Sequence, residues 1–319
     1  MCGQDGVMPI TRPSPEAMEH NERKAKAPSI DVDDARTVNP RSQKKAFAKA
    51  MLEVTPVRQL IDLGKPIRLY RNLLNRCLPS WIKFQGVYAS FEEAQANAPK
   101  GVRSGYDHEE IATAYGGQTF LPSDYPALFW LREAMHCGAR VFDFGGSVGV
   151  SFYSWQKYFQ YPDNIQWLVH DLPMVNQAGQ RLALEKQEGR LHFTSRFEDA
   201  DGFDFMLTSG CLQYVETPVS DFLRKLNRLP RHLLINRVPL HSSRHCVTLQ
   251  NIRWMVSPYQ VFLRDQFIAS LEALGYELID SWSDPDHTCW IPFYPEYSVE
   301  AYSGLYFRRK SSAAGPSSL

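Results

Sequence analysis

From residue 139 onward, short apolar runs alternate with amphipathic stretches. The first run, Arg140-Val-Phe-Asp-Phe144, passes through an acid, Asp143, and then breaks into Gly145, Gly146 and Gly149. β-branched and aromatic residues ahead of a glycine cluster predict a buried strand feeding a tight turn and a helix. A second run, Ile165–Leu172, ends in another acid, Asp171. The pattern then predicts a helix around Val175–Gln187 and strands at Leu191–Ser195 and Phe203–Thr208. A helix beginning near Pro218 and a strand over His232–Val238 follow. A helix over Arg264–Leu274, stopped by Gly275, leads to strands at Tyr276–Ser281 and Ser303–Arg309. Strands alternating with helices describe a mostly parallel α/β sheet.

The residues before this alternation read differently. Positions 1–44 are polar, charged and rich in Pro and Ser, the composition of a disordered tail, and 311–319 reads as a second one. The region 45–135 reads as a helical cap ahead of a main domain at 136–310. Within it Ile67, Tyr70, Leu73, Leu74, Cys77 and Leu78 recur at helical spacing, with Arg68, Arg71 and Arg76 between them and Pro79 as the stop. This helix either packs on the main domain or presents a basic amphipathic surface over 57–84 to anionic lipid, as a peripheral contact.

Composition narrows the classes. With 319 residues, 44% of them hydrophobic, the chain can bury a full core. Lys plus Arg and Asp plus Glu each number 35, so no basic excess points to nucleic acid. The six cysteines form no Cys-x-x-Cys pair and read as reduced thiols. No apolar run approaches the about 18 residues of a spanning helix, and the N-terminus lacks a signal-peptide core. A cytoplasmic location is the expectation.

The glycine loop and its flanking acids suggest the ligand. Glycines let backbone approach a nucleoside ligand closely. A dinucleotide would set an anionic pyrophosphate beside Asp143, whereas S-adenosylmethionine brings an ammonium and a sulfonium that a carboxylate attracts. Asp171 follows Asp143 by 28 residues, about one strand–helix–strand unit. There it could accept the two hydroxyls of a ribose, cap the helix that starts at Leu172-Pro173, or do both.

In this order the residues resemble the class I S-adenosylmethionine-dependent methyltransferases. Asp143-Phe-Gly-Gly-Ser-Val-Gly149 is similar to that superfamily's glycine loop, with Ser147 where a middle glycine is usual, and Asp171-Leu-Pro173 is similar to its ribose-binding acid. More narrowly, the chain resembles a bacterial methyltransferase family associated with surface-polysaccharide gene clusters. The matching segments include Phe84–Tyr88, Tyr125-Pro126, Ser209–Tyr214, Thr248–Gln250 and Gly304–Arg309. The resemblance implies a Rossmann-like sheet of seven strands with the last antiparallel, and S-adenosylmethionine as cofactor.

Ligands of an open α/β sheet sit at the carboxyl ends of its strands. The cofactor-binding candidates are therefore Asp143, Gly145, Gly146, Ser147 and Gly149, Asp171 and Leu172, Phe197 as a cover for adenine, and Ser209 and Gly210. Gln213, Tyr214 and Arg237 are candidates to face the acceptor; Arg237 could instead form a salt bridge within its loop. His241 and His245 are the candidate general bases, because imidazole titrates near neutrality. With Cys246 they lack a fourth ligand and a metal-binding spacing, so no metal site is expected. No Asn-Pro-Pro-Tyr or Asp-Pro-Pro-Tyr follows strand four, which directs the reading to O-methylation of a glycan or small-molecule precursor; polysaccharide biosynthesis is what the narrower resemblance implies. Two alternatives stand beside it: a catalytically silent cofactor- or partner-binding protein, and an NAD-dependent oxidoreductase.

Overall fold

A computed structural model describes residues 82–99, 103–104, 120–135, 140–252 and 255–310. Its centre is a seven-stranded sheet. The strands are β3 (Arg140–Phe144), β4 (Gln166–His170), β5 (Leu191–Thr194), β6 (Phe205–Ser209), β7 (His232–Val238), β11 (Tyr276–Asp284) and β12 (Tyr302–Arg309). They are ordered β11-β12-β7-β6-β3-β4-β5. Neighbours from β5 to β7 pair in parallel, and β12 is antiparallel to both β7 and β11. This is the arrangement the resemblance implies. Chain order reverses direction between β3 and β6, so the crevice for a ligand lies where those two strands end.

Alternation along each strand sends side chains to two cores. Val141, Trp167, Phe205, Leu207, Leu234 and Tyr306 meet helices α2 (Asp124–Met135) and α3 (Val150–Trp155) on one face. Phe142, Met206, Leu233, Ile235 and Leu305 meet α5 (Val219–Leu223) and α6 (Arg264–Glu272) on the other. Helix α4 (Pro173–Glu185) starts on Pro173, whose fixed φ suits a first helical turn.

A second sheet was not expected from the sequence. It joins β1 (Phe84–Tyr88), β2 (Arg103–Ser104), β9 (Cys246–Ile252) and β10 (Met255–Leu263) in the order β1-β9-β10-β2, and β8 (Leu240–His241) pairs with β10. Its β10 lies against the turn that follows β6: Tyr214 meets Tyr259 edge to face at 5.1 Å, and Gln260 Nε2 donates to the Val215 carbonyl at 2.6 Å. The second sheet therefore borders the carboxyl end of the first.

Two irregularities re-aim side chains at that end. In β11, Leu278 faces Phe307 and Asp280 faces Tyr306, so Ile279 is an extra residue. A one-residue bulge exchanges the faces of everything beyond it. Asp280, Trp282 and Asp284 consequently share the α2 face with Tyr306. In β7, Asn236 and Arg237 lie where the register with β12 slips, and Arg237 has a left-handed φ of 57°.

Of the region 45–135, the described residues form β1, β2, α2 and the short helix α1 (Phe91–Ala96). The helix expected over 67–78, its basic surface and both terminal tails lie outside the described residues. No described helix is long and apolar enough to cross a membrane.

Candidate functional site

The loop between β3 and α3 is wound tightly. Gly145, Ser147 and Gly149 have φ values of 74°, 55° and 88°, a region that only glycine enters without strain. A side chain at Gly145 would collide with Cys211 Sγ, so the loop lies directly against the turn after β6. Ser147 takes the left-handed conformation at a cost of about 1 kcal/mol, and its N–H donates to Asp171 Oδ2 at 2.8 Å. The Gly145 N–H donates to the His170 carbonyl at 2.8 Å, and those of Gly149 and Val150 donate to the Gly146 carbonyl at 3.1 Å.

Asp143 requires a correction. The sequence reading placed its charge beside the ligand, but its carboxyl is 0% exposed. Gly146 lies directly over it: a Cβ there would stand 2.5 Å from Asp143 Cγ. Trp167 Nε1 donates to Oδ2 at 3.1 Å, and Oδ1 has no hydrogen-bond partner among the described residues. Burial pushes the carboxyl up to about 7, opposed by the Trp167 hydrogen bond and reinforced by the charge of Asp171. Asp143 thus supports the loop from beneath and presents no charge to solvent.

Asp171 presents it instead. The residue is half-buried at the end of β4, and its two oxygens accept from Ser147 N–H and, at 2.8 Å, from Leu172 N–H. A carboxylate is a group that can accept from the hydroxyls of a ribose. Asn176, a buried residue in α4 that the sequence reading missed, fixes this strand end. Its Nδ2 donates at 2.8 Å to the carbonyls of Asp171 and Thr194 and to Ser195 Oγ. Beside Asp171, Leu172 and Met174 each stand 40% exposed, an apolar shelf next to the carboxylate.

Phe197 is also corrected. It is buried among Phe142, Phe144 and Phe222, with centroids 5.0–5.5 Å away, so the core takes its ring and no face remains to cover adenine. Gly210 has a φ of 70° and donates to the Asn236 carbonyl at 2.9 Å, which holds the turn after β6 against β7. Ser147 Oγ and Ser209 Oγ are buried with no hydrogen-bond partner among the described residues. Buried polar atoms normally find partners, so these hydroxyls fit a polar ligand. Together with Asp171 and the apolar shelf, they suit a nucleoside carrying a vicinal diol.

On the far side of Gly210 lies a polar network on the α2 face. Gly304 leaves room for the Trp282 indole, whose Nε1 donates to Asn236 Oδ1 at 3.2 Å. Asn236 Nδ2 donates to Asp124 Oδ1 at 3.0 Å, and Arg237 Nη2 grips both Asp124 oxygens at 2.6 and 2.5 Å. The salt-bridge alternative for Arg237 is therefore the arrangement present, with its partner on α2 rather than in its own loop. Desolvation raises the Asp124 carboxyl, and the Arg237 charge works against that rise. Arg237 Nε and Gln213 Oε1, whose side chains both approach Gly210, are buried without partners among the described residues. Tyr214 donates to Gln250 Oε1 at 2.8 Å and so joins the second sheet.

Of the two histidines expected as bases, His241 ends β8 and His245 closes the loop that leads to β9. His241 Nδ1 accepts from Ser243 N–H and Arg244 N–H, each at 3.0 Å. That nitrogen holds a turn, and desolvation lowers the ring's basicity further. His245 is exposed and has no hydrogen-bond partner among the described residues.

No family model and no curated protein matches the chain. Several solved structures do. A Burkholderia thailandensis 1,6-didemethyltoxoflavin-N1-methyltransferase with bound S-adenosylhomocysteine is 19% identical, with 59% of this chain and 79% of that one covered and a TM-score of 0.41. The magnesium protoporphyrin IX methyltransferase of Synechocystis PCC 6803 is 13% identical over 64% and 84%, with a TM-score of 0.39. The cyclase SpnF is 15% identical over 70% and 97%, with a TM-score of 0.44. At such identities and scores no property of those proteins transfers to this chain.

Proposed function

We infer that the protein is an S-adenosylmethionine-dependent methyltransferase acting on a hydroxyl of a glycan or small-molecule precursor. The observation that carries the donor assignment is the fate of the loop amides. Four of the six N–H groups from Gly145 to Val150 are already donated within the protein, and a carboxylate, Asp171, stands beside them. A pyrophosphate needs free amides, so a dinucleotide is poorly served and the oxidoreductase reading falls behind; Asp171 does not decide between them, because a dinucleotide's ribose also takes an acid at that strand end. A cationic sulfonium nucleoside meets no such objection.

When bound, the donor supplies a methyl group on positively charged sulfur, a leaving group that needs no protonation. The protein's share is to orient and to exclude water. Asp171 would take the ribose hydroxyls, Leu172 and Met174 the flat base, and Ser147 and Ser209 the polar end of the amino acid moiety. Gln213 and Arg237 would line the acceptor side beyond Gly210. Work on a surface-polysaccharide precursor belongs to the same proposal, supported by the sequence resemblance, as do a cytoplasmic location, supported by the composition, and a lipid contact through 57–84, supported by the basic amphipathic pattern of that segment. A silent, ligand-binding role is the alternative that the missing loop glycine at Ser147 keeps in view.

Calorimetric titration of the full chain with S-adenosylhomocysteine and with NAD tests the assignment. Saturable binding of the first alone supports it, and binding of NAD alone overturns it. Transfer of labelled methyl to a fraction of cell extract separates an enzyme from a silent binder.

A further inference from the structure

The α2 face of the sheet ends in a pair of residues outside the roles assigned so far. Asp284, the last residue of β11, is wholly buried. Its Oδ2 lies 2.8 Å from His287 Nδ1, and its Oδ1 accepts from Asp286 N–H at 3.2 Å. The His287 carbonyl accepts from Tyr302 N–H at 3.1 Å, and the imidazole rests against the Tyr302 ring at 5.7 Å. The ring is therefore fixed along its Nδ1 edge. Its other nitrogen, Nε2, has no hydrogen-bond partner among the described residues, and the side chain is 30% exposed.

A carboxylate accepts and cannot donate, so a bond from Asp284 places the neutral ring's proton on Nδ1 and leaves the Nε2 lone pair bare. His241 shows the opposite arrangement, with Nδ1 occupied as an acceptor. Position also favours His287. The bulge at Ile279 puts Asp284 on the face that carries Trp282, and Trp282 leads through Asn236 to Asp124 and Arg237. The pair stands at the same carboxyl edge of the sheet as the glycine loop.

We propose that His287, held by Asp284, takes the proton from the acceptor hydroxyl; this rests on the O-methyltransferase reading above. The O–H bond breaks with its proton passing to Nε2, and an oxygen electron pair forms the new bond to the methyl carbon. The carbon–sulfur bond breaks with its pair going to sulfur, which leaves as a neutral thioether. The positive charge passes to the imidazolium, next to the Asp284 carboxylate. Asp284 is a positioning residue and His287 the group that meets the substrate.

Long-range proton–nitrogen NMR correlation on the 15N-labelled full chain reads the tautomer directly. The expected result is a neutral His287 ring protonated on Nδ1, a preference that Asp284→Asn weakens; a ring protonated on Nε2 in the unaltered protein overturns the proposal. In labelled-methyl transfer to cell extract, His287→Gln should lower the rate by about 100-fold or more, with S-adenosylhomocysteine affinity unchanged by calorimetry. Full transfer by that variant overturns the proposal, as does donor binding with no transfer by the unaltered protein. Failure of the unaltered protein to bind S-adenosylhomocysteine removes the methyltransferase reading instead, and the tautomer still decides whether Asp284 poises His287 to accept a proton.

Discussion

Ser147 donates its backbone N–H to the Asp171 carboxylate at 2.8 Å, tying the middle of the glycine loop to the end of the neighbouring strand. The bond holds a non-glycine residue in a left-handed conformation and aims the half-buried acid across the loop. Asp171→Ala should therefore weaken S-adenosylhomocysteine binding by at least tenfold, about 1.4 kcal/mol. Asp171→Asn, which keeps one acceptor oxygen, should fall between. Calorimetry reads both; an alanine variant with unchanged affinity would remove Asp171 from the site.

Gly146→Ala should destabilise the fold by about 1–3 kcal/mol through overpacking, because the new Cβ lands 2.5 Å from the Asp143 carboxyl. Adding Asp143→Ala to it should cost less than the two separate losses combined. Urea midpoints of the single and double variants measure the coupling, and strict additivity would contradict the contact.

Asp143 should make stability depend on pH. Its folded value of about 7 lies above the ordinary 3.8, so the folded state holds the proton more tightly than the unfolded one. Its contribution is fully present below the unfolded value and is lost as pH rises through about 7, on the order of 1.4 kcal/mol per pH unit in that window. Asp143→Asn cannot ionise and should flatten that part of the profile. Denaturant unfolding of both proteins from pH 4 to pH 8 checks the sign; parallel profiles would place the titration elsewhere.

Arg237→Ala should cost about 3–5 kcal/mol, since it strands a buried carboxylate. The Asp124 and Arg237 side chains are only 4% and 13% exposed. Removing Asp124 in the same protein should recover part of the loss. Chemical denaturation decides the matter, and a single variant as stable as the parent would show the pair to be incidental.

Much of the central sheet was legible in the chain. His232–Val238 is a strand over the same residues as expected, and the boundaries of β5, β12, α4 and α6 shift by one or two positions. Periodicity reports such elements because each buries one face. The second sheet escaped for a physical reason. Between Cys246 and Leu263 apolar and polar residues are buried alike, Pro258 interrupts the run, and no glycine-bearing turn separates β9 from β10. In the site, the glycine loop and Asp171 could be read because their spacing reports the fold. Asp143 was recognised as belonging to the loop, but its burial behind Trp167 depends on a contact 24 residues away. His287 was not singled out in the sequence; only the spacing Asp284-x-x-His287 could have pointed to a partner.

The extra residue in β11 has a consequence for how related chains should be compared. Every side chain after Ile279 owes its orientation to that one surplus position. A homologue shortened by a single amino acid there could keep Trp282, Asp284 and His287 in perfect alignment by letter and still turn the tryptophan and the carboxylate toward the opposite layer of helices. Identity at those columns is therefore meaningful only where the count between Leu278 and Asp280 is conserved as well.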